Sequence, residues 1–141
     1  MSSDRSRRME TAEALHSAAI RLLRLVRTED AQSGVGPAQL SALSVLVFRG
    51  ELTLGELAAL EQVRPPTMSR IVDGLVQRKL AQRVSAAADR RAVKLTATAQ
   101  GRTLLLAGKA RRVRALAKRM AAFTKDEIKT LEAAAELLGK L

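Results

Sequence analysis

Apolar residues recur at helical spacing through the first third of the chain. Between residues 9 and 27 they stand three or four positions apart with arginines between them, which predicts an amphipathic helix. The polar stretch 28–36 is typical of a loop. Gly36-Pro37 then opens a second helix, because proline suits a first helical turn, and Gly50 suits its left-handed C-cap. The residues of this second helix that we expect in the core are Leu40, Leu43, Val45, Leu46, Val47 and Phe48.

Two closely spaced helices are predicted next. Thr53 and Glu56 have the spacing of a capping box, which favours a short helix directly after a brief extended piece. Pro65 and Pro66 end this region, since proline cannot continue a helix but can start one. A second helix is therefore expected from about Pro66 to Arg78. Its predicted buried stripe consists of Met68, Ile71, Val72 and Leu75. Such a pair, with small polar residues and an arginine near the start of the second helix, is typical of a helix-turn-helix.

An alternating pattern follows this helix pair. Residues 80–85 and 91–96 alternate between apolar and polar side chains on either side of the polar tip "AAADR", which predicts a two-stranded hairpin. A helix-turn-helix followed by a hairpin is a winged helix. The predicted fold class is mainly α with a small β-hairpin wing.

The last third of the chain is predicted to form two helices, from Thr98 to about Met120 and from the capping box Thr124–Glu127 onward. Their apolar stripes, and that of the first helix, exceed what a small winged helix can cover. Self-association is the simplest way to bury these stripes, and folding back of the helices within the monomer is the alternative. We expect one domain over 1–141, with a winged lobe at about 37–97 and dimerisation helices at about 9–30 and 98–141.

The charge of the chain indicates a polyanionic partner. Lys and Arg total 25 against 14 acids, a net charge of +11, and an acid-free stretch from residue 90 to 125 carries eleven of the bases. This stretch is either a solvated basic helix or a surface that attracts nucleic acid or an anionic membrane. Single-strand binders stack bases on aromatic rings, and the aromatic residues here are only Phe48 and Phe123. Duplex DNA fits this composition better.

Several other classes of protein fit poorly. The chain has no cysteine and one histidine, His16, so neither thiolate chemistry nor a metal site of the usual kind is expected. We find no nucleophile–base pair, paired carboxylates or phosphate loop, and therefore expect neither an enzyme nor a cofactor. No apolar run approaches the roughly 20 residues of a membrane span, and we expect a cytoplasmic protein.

Three stretches together resemble the MarR family of bacterial transcription regulators: "LSALSVLVFRG", "GELTLGELAALEQVRPPTMSRIVDGLVQRKLAQRV" and "ADRRAVKLTATAQGR". The resemblance covers nearly the whole chain. It implies a homodimer, built from the first and last helices, that binds a pseudo-palindromic operator, most often as a repressor. It also implies a small-molecule effector that releases DNA in many members. The lack of cysteine excludes a peroxide-sensing thiol, and the scarcity of aromatic residues argues against a ring-lined effector pocket.

The second helix of the pair should enter the major groove of DNA. Arg70 is the first candidate for a base-edge contact, because arginine pairs with guanine in a bidentate way. An intramolecular salt bridge is the alternative role for Arg70. Thr67 and Ser69 are short enough for close contacts with phosphate or bases. Arg64 is expected to bind a phosphate, and Pro65 is the remaining residue of the predicted DNA-binding set.

The wing should reach the neighbouring minor groove. By match to the family motif, Arg91 is the residue expected to insert there, where negative potential attracts arginine. Asp89 is placed to hold the Arg91 guanidinium or the turn backbone, and Arg90 is expected on phosphate. An architectural DNA-binding protein of low sequence preference is the alternative function, and repressor and activator are not distinguished by these residues.

Overall fold

A computed structural model of the chain describes the backbone of residues 2–86 and 89–141, and the side chains of residues 3–85 and 93–141. The elements are α1 Ser2–Asp30, a 3-10 turn Ala31–Ser33, α2 Pro37–Arg49, α3 Leu54–Leu60, α4 Pro65–Gln77, β1 Ala81–Ala86, β2 Asp89–Ala97, α5 Ala99–Met120 and α6 Lys125–Leu138. This order confirms a mainly helical fold with a β-hairpin wing. The chain forms two compact units, a winged unit (residues 27–110) and a terminal unit (residues 1–26 and 111–141).

Helix α1 is longer at both ends than the hydrophobic pattern predicts. It begins at Ser2, and it continues to Asp30 through residues that were expected in a loop. Polar contacts one turn apart support the early start, since Ser6 Oγ donates to Glu10 at 3.2 Å and Arg8 pairs with Asp4 at 3.3 Å. Apolar periodicity carries no signal for such a polar extension.

The core of the winged unit is entirely apolar among the described side chains. Its buried members are Val35, Ala42, Leu43, Leu46, Val47, Leu57, Ala58, Met68, Val72, Leu75, Leu80, Ala81, Leu95 and Leu105. The core stripe predicted for α4 is confirmed, with Ile71 packed against it as a half-buried residue. Phe48 was wrongly expected inside: its side chain is 65% exposed. At 100° per residue, position 48 falls on the side of α2 opposite the buried stripe.

Hydrogen bonds tie the end of α4 to the start of α5. The Thr98 hydroxyl donates to the Lys79 carbonyl oxygen at 2.6 Å and accepts from the Gly101 N–H at 3.0 Å. The Thr98 N–H also donates to the Leu80 carbonyl oxygen at 3.0 Å. Lys79 has a φ of 60°, which turns the chain out of α4. One threonine therefore caps α5 and anchors it to this turn.

The hairpin is antiparallel and anchored in the core. Its register runs from Ala81 opposite Ala97 to Ser85 opposite Val93, and shifts after Ser85 so that Ala86 lies opposite Asp89. Leu95 exchanges two backbone hydrogen bonds with Leu52, at 2.7 and 3.1 Å, which fixes the extended piece before α3. Because Leu95 is also buried, the base of the wing is fixed by the core.

The terminal unit has a different character. No described residue of α1 or α6 is buried, and the buried residues of α5 lie in the winged unit. Large apolar side chains that stay exposed on the terminal unit are Met9, Leu15, Ile20, Leu22, Leu23, Val113, Phe123, Leu131, Leu137, Leu138 and Leu141. None of the helices in the described ranges has the length and hydropathy to cross a membrane.

Candidate nucleic-acid interface

The start of α4 combines an arginine, two prolines and the positive end of the helix dipole. Arg64 is the extended N-cap residue, and Pro65 and Pro66 occupy the first two helical positions. Proline has no N–H, so the Thr67 N–H is the first backbone donor of this helix. Arg64, Pro65 and Thr67 are all exposed. An anion approaching this end would meet the dipole, the Thr67 N–H and the Arg64 side chain.

One face of α4 presents polar side chains to solvent. Thr67, Arg70, Asp73 and Gln77 are exposed at steps of three or four residues, opposite the buried Met68, Val72 and Leu75. Ser69 lies beside this face and is half-buried. Arg70 forms no ion pair with any residue in the described ranges, so the salt bridge considered for it is not observed. The guanidinium is therefore available to an external acceptor.

An ion pair that the sequence analysis missed joins α4 to the wing. Arg83 of β1 donates to the Asp73 carboxylate, and both side chains are partly exposed, at 41% and 56% respectively. The pair neutralises the acid on the face that carries Arg70. The sequence shows an acid, Asp73, three residues after Arg70, but its spacing from other residues does not identify Arg83 as its partner. Asp73 and Arg83 thus link the two elements expected in adjacent grooves.

The wing residues are described only in part. Asp89, Arg90 and Arg91 are the first three residues of β2. Their side chains fall outside the described residues, so the pairing of Asp89 with Arg91 and the phosphate contact of Arg90 stay predictions. The predicted hairpin is present, but Asp89 and Arg90 were expected in its tip and instead belong to β2, which begins two residues earlier than the alternating pattern indicates.

A capping box holds the first helix of the pair. The Thr53 N–H donates to Glu56 at 2.8 Å, and the Glu56 N–H donates back to the Thr53 hydroxyl at 3.2 Å. The first of these hydrogen bonds lowers the pKa of Glu56, and the Lys94 charge of β2 lowers that pKa further. Within the described part of the chain, no group of three acidic or histidine side chains could hold a metal ion.

Comparison with known proteins agrees with this architecture. Residues 33–92 match a family model described as the MarR family. An HTH-type transcriptional regulator of Mycobacterium tuberculosis is 35% identical over 127 residues, which cover 90% of this chain and 89% of that protein. The chain belongs to the MarR family. Members of the MarR family are DNA-binding regulators of transcription rather than enzymes, as the sequence led us to expect.

Further relatives and structures extend the MarR comparison. The transcriptional repressor MdtR of Bacillus subtilis is 36% identical over 70 residues, covering 50% of this chain and 45% of MdtR. A MarR family protein of Bacillus stearothermophilus superposes with a TM-score of 0.79 at 26% identity, covering 94% and 92% of the two chains. A MepR variant of Staphylococcus aureus has a TM-score of 0.74 at 19% identity, covering 92% and 96%. The winged helix fold is therefore that of the MarR family.

Proposed function

We propose that this MarR-family protein is a homodimeric repressor that recognises a pseudo-palindromic operator in duplex DNA. The observation that carries the proposal is the exposed polar face of α4, on which Arg70 has no described ion-pair partner. Two relatives add support. The solved structure of the MepR variant is bound to an oligodeoxyribonucleotide, and MdtR is a transcriptional repressor.

In the proposed complex, α4 enters the major groove. Arg70 donates to the O6 and N7 acceptors of a guanine, a contact that discriminates by about 1–3 kcal/mol against another base. Thr67 and Ser69 contact phosphate or base edges near the start of the helix. Arg64 binds a phosphate, and Pro65 packs against the DNA backbone at the same end of α4.

The wing carries the second set of contacts in this proposal. Arg91 enters the minor groove, Asp89 orients its guanidinium, and Arg90 contacts phosphate. The ion pair between Asp73 and Arg83 supports such simultaneous binding, because it connects the helix in one groove to the first strand of the wing. A surface pair of this kind contributes only about 0–1 kcal/mol to stability, which favours a positioning role.

Dimerisation would supply the symmetry of the operator. The exposed apolar side chains of α1 and α6 support association of two chains through the terminal unit, rather than folding back of these helices within the monomer. Two copies of α4 related by a two-fold axis would read half-sites about one helical turn, roughly 10 bp, apart.

The proposal is tested by selecting bound duplexes from a random pool and titrating wild type and variants against the selected sequence. Arg70→Ala and Arg91→Ala should each weaken operator binding by about tenfold or more, since a base or groove contact is lost. Arg78→Ala removes the same charge at the opposite end of α4 and should change affinity far less. If Arg70→Ala binds like the control variant, α4 is not the reading helix.

An architectural DNA-binding protein is the second candidate, and the charge of +11 is the observation that favours it. The same titration separates the two. A regulator should bind its selected operator about 10³-fold or more tightly than random duplex, whereas an architectural protein should show a ratio near one.

A small-molecule effector is a prediction from the family resemblance. It would lower operator affinity and raise the melting temperature of the free protein, because it would bind the form that does not hold DNA. A thermal-shift screen of small organic anions, followed by operator titration with each compound that raises the melting temperature, tests this prediction. Compounds that raise the melting temperature without weakening DNA binding would contradict it.

A further inference from the structure

Most of the acid-free stretch, residues 90–125, lies outside both the reading helix and the wing. Helix α5 alone carries seven Lys or Arg and no acid. Five of these residues follow Ala110 and therefore belong to the terminal unit rather than to the winged unit. The contacts proposed for the operator use none of them.

Three of the five form one stripe along α5. Arg111, Arg114 and Lys118 recur at steps of three and four residues, with Arg114 and Lys118 exposed and Arg111 half-buried. The exposed Leu106 and Val113 fall about a third of a turn away, at 100° per residue. The exposed apolar side chains of α5 therefore lie on a different side of the helix from these cations. We call these three cations the α5 stripe.

The charges of the α5 stripe have no local compensation. None of its three side chains forms an ion pair with a residue in the described ranges, and the Arg111 Nε is buried without a hydrogen-bond acceptor. Like charges three or four residues apart on a helix destabilise it by roughly 0.2–0.5 kcal/mol per pair. The stripe holds two such pairs, Arg111 with Arg114 and Arg114 with Lys118. Its repulsion would be relieved by an external anion.

A second copy of the chain is a poor source of that anion. Lys and Arg outnumber Asp and Glu by six in the terminal unit, 13 against 7. Association of two copies brings two such excesses together, so each dimer would be more strongly basic in this unit than one chain. The charge therefore calls for a polyanion outside the protein.

We propose that the α5 stripe binds the phosphate backbone of duplex DNA, independently of base sequence and in addition to the α4 and wing site. Arginine predominates in it, as in sites that bind phosphate in a bidentate way. The stripe extends about 10 Å along the helix, which is close to the rise of three base pairs, roughly 10 Å. Single strands are disfavoured because α5 has no aromatic residue on which a base could stack. An anionic membrane fits less well, because an interfacial helix needs a broad exposed apolar face, and the large apolar side chains exposed on the described α5 are Leu106 and Val113.

The test uses two triple variants of the full chain that remove the same charge from the same unit. One replaces the stripe, with Arg111→Gln, Arg114→Gln and Lys118→Gln. The control replaces three lysines at the end of the chain, with Lys125→Gln, Lys129→Gln and Lys140→Gln. Circular dichroism and melting temperature show that each variant folds. Binding of a random-sequence duplex of roughly 40 bp, long enough to cover several contacts, is followed by fluorescence anisotropy over a range of salt.

Each phosphate contact contributes about 0.9 to the slope of log affinity against log salt. We expect the slope of the stripe variant to be smaller than that of wild type by about 2–3 units. Its affinity for DNA at low salt should be lower by about tenfold or more. The control should lose less than about one unit of slope. A variant with Arg111→Lys and Arg114→Lys should keep most of the slope, because it keeps the charges.

Equal losses in the two triple variants would overturn the proposal, because net charge rather than the stripe would then govern binding. An unchanged slope in the stripe variant would overturn it as well. So would a stripe variant that keeps its DNA affinity but loses binding to vesicles containing phosphatidylserine. The test does not depend on the proposed operator, since random duplex has none, and a failure of Arg70→Ala to weaken operator binding would leave its outcome untouched.

Discussion

At the scale of single residues, position 101 requires a glycine because the backbone of Leu80 lies close to it. Gly101 lies where the first turn of α5 meets the backbone of Leu80, and an added Cβ would overlap the Leu80 carbonyl oxygen and lie 3.1 Å from Leu43 Cδ1. The Leu80 carbonyl is fixed by the hydrogen bond that it accepts from the Thr98 N–H, and Leu43 is fixed by burial in the core. Neither can move without disturbing the attachment of α5.

Gly101→Ala should therefore destabilise the protein, although alanine is favoured over glycine in a helix by about 1 kcal/mol. Overpacking of this kind costs about 1–3 kcal/mol, so the free energy of unfolding in urea should fall. Gly55→Ala is the control, since a Cβ at position 55 of α3 meets no atom within 4 Å. It should leave stability unchanged or raise it. A Gly101→Ala protein as stable as wild type would contradict the close packing.

Glu56 should make stability depend on pH. Its pKa is lowered in the folded protein, mainly by the hydrogen bond from the Thr53 N–H, so its contribution is present above the unfolded pKa and lost as pH falls through the folded pKa. Glu56→Gln keeps a capping side chain but removes the charge. Wild type should exceed Glu56→Gln in urea midpoint near pH 7, and the gap should narrow as the pH falls below the ordinary glutamate pKa of 4.5. A gap that stays constant with pH would contradict the assignment.

At the scale of elements, the reading helix and the wing are connected by a side-chain contact as well as by the chain. The Asp73–Arg83 pair joins α4 to β1, while the Leu52–Leu95 bridge joins β2 to the segment before α3. The wing is thus attached through both of its strands. Such attachment limits the relative motion of two elements that are proposed to bind one duplex.

We expect the Asp73–Arg83 pair to affect DNA affinity more than stability. Asp73→Asn and Arg83→Gln should each lower the urea midpoint only slightly, because exposed ion pairs contribute about 0–1 kcal/mol. Each should weaken operator binding several-fold by loosening the wing. The double variant should bind the operator no more weakly than whichever single variant binds it less tightly, because coupled residues give losses that do not add. Additive losses of affinity would instead mean that each residue acts on DNA separately.

Most elements were predictable because their signals are local. Capping boxes at Thr53 and Thr124, a proline start at Pro37 and the alternation of β1 and β2 each depend on neighbouring residues, and the structure contains all of them. The errors concern information that local patterns lack. Phe48 is apolar yet faces away from the core, and α1 extends through polar residues that show no hydrophobic periodicity.

The candidate site was predictable in type and incomplete in detail. The exposed positions of Thr67 and Arg70 follow from the helical period, because the buried stripe of α4 leaves them on the opposite face. The pair Asp73–Arg83 connects residues ten positions apart in different elements, and its partners depend on how the hairpin packs on α4. Sequence spacing does not contain that packing.

At the scale of the whole molecule, the two units differ in how well a single chain buries their apolar side chains. The winged unit has a buried apolar core, whereas α1 and α6 have no buried residue among those described. A free chain would therefore expose much apolar surface in the terminal unit. This difference supports the proposal that two chains complete it.

Leu131→Glu should shift the protein toward monomer, because a charge would replace an apolar side chain, 41% exposed in one chain, at the proposed contact. Thr130→Glu introduces the same charge at the adjacent exposed position of α6 and should leave assembly unchanged. Sedimentation velocity at several protein concentrations measures both. A wild-type protein that sediments as a monomer at all concentrations would contradict the proposed dimer.

The exposed apolar faces of α1 and α6 also have a consequence for how a cell would set the output of a gene under such a protein. If two chains must meet before the operator is bound, the number of competent complexes at low abundance grows with the square of the number of chains. Halving synthesis would then lower occupancy about fourfold. A change in gene dosage or protein turnover would act as a switch in its own right, with no small molecule involved.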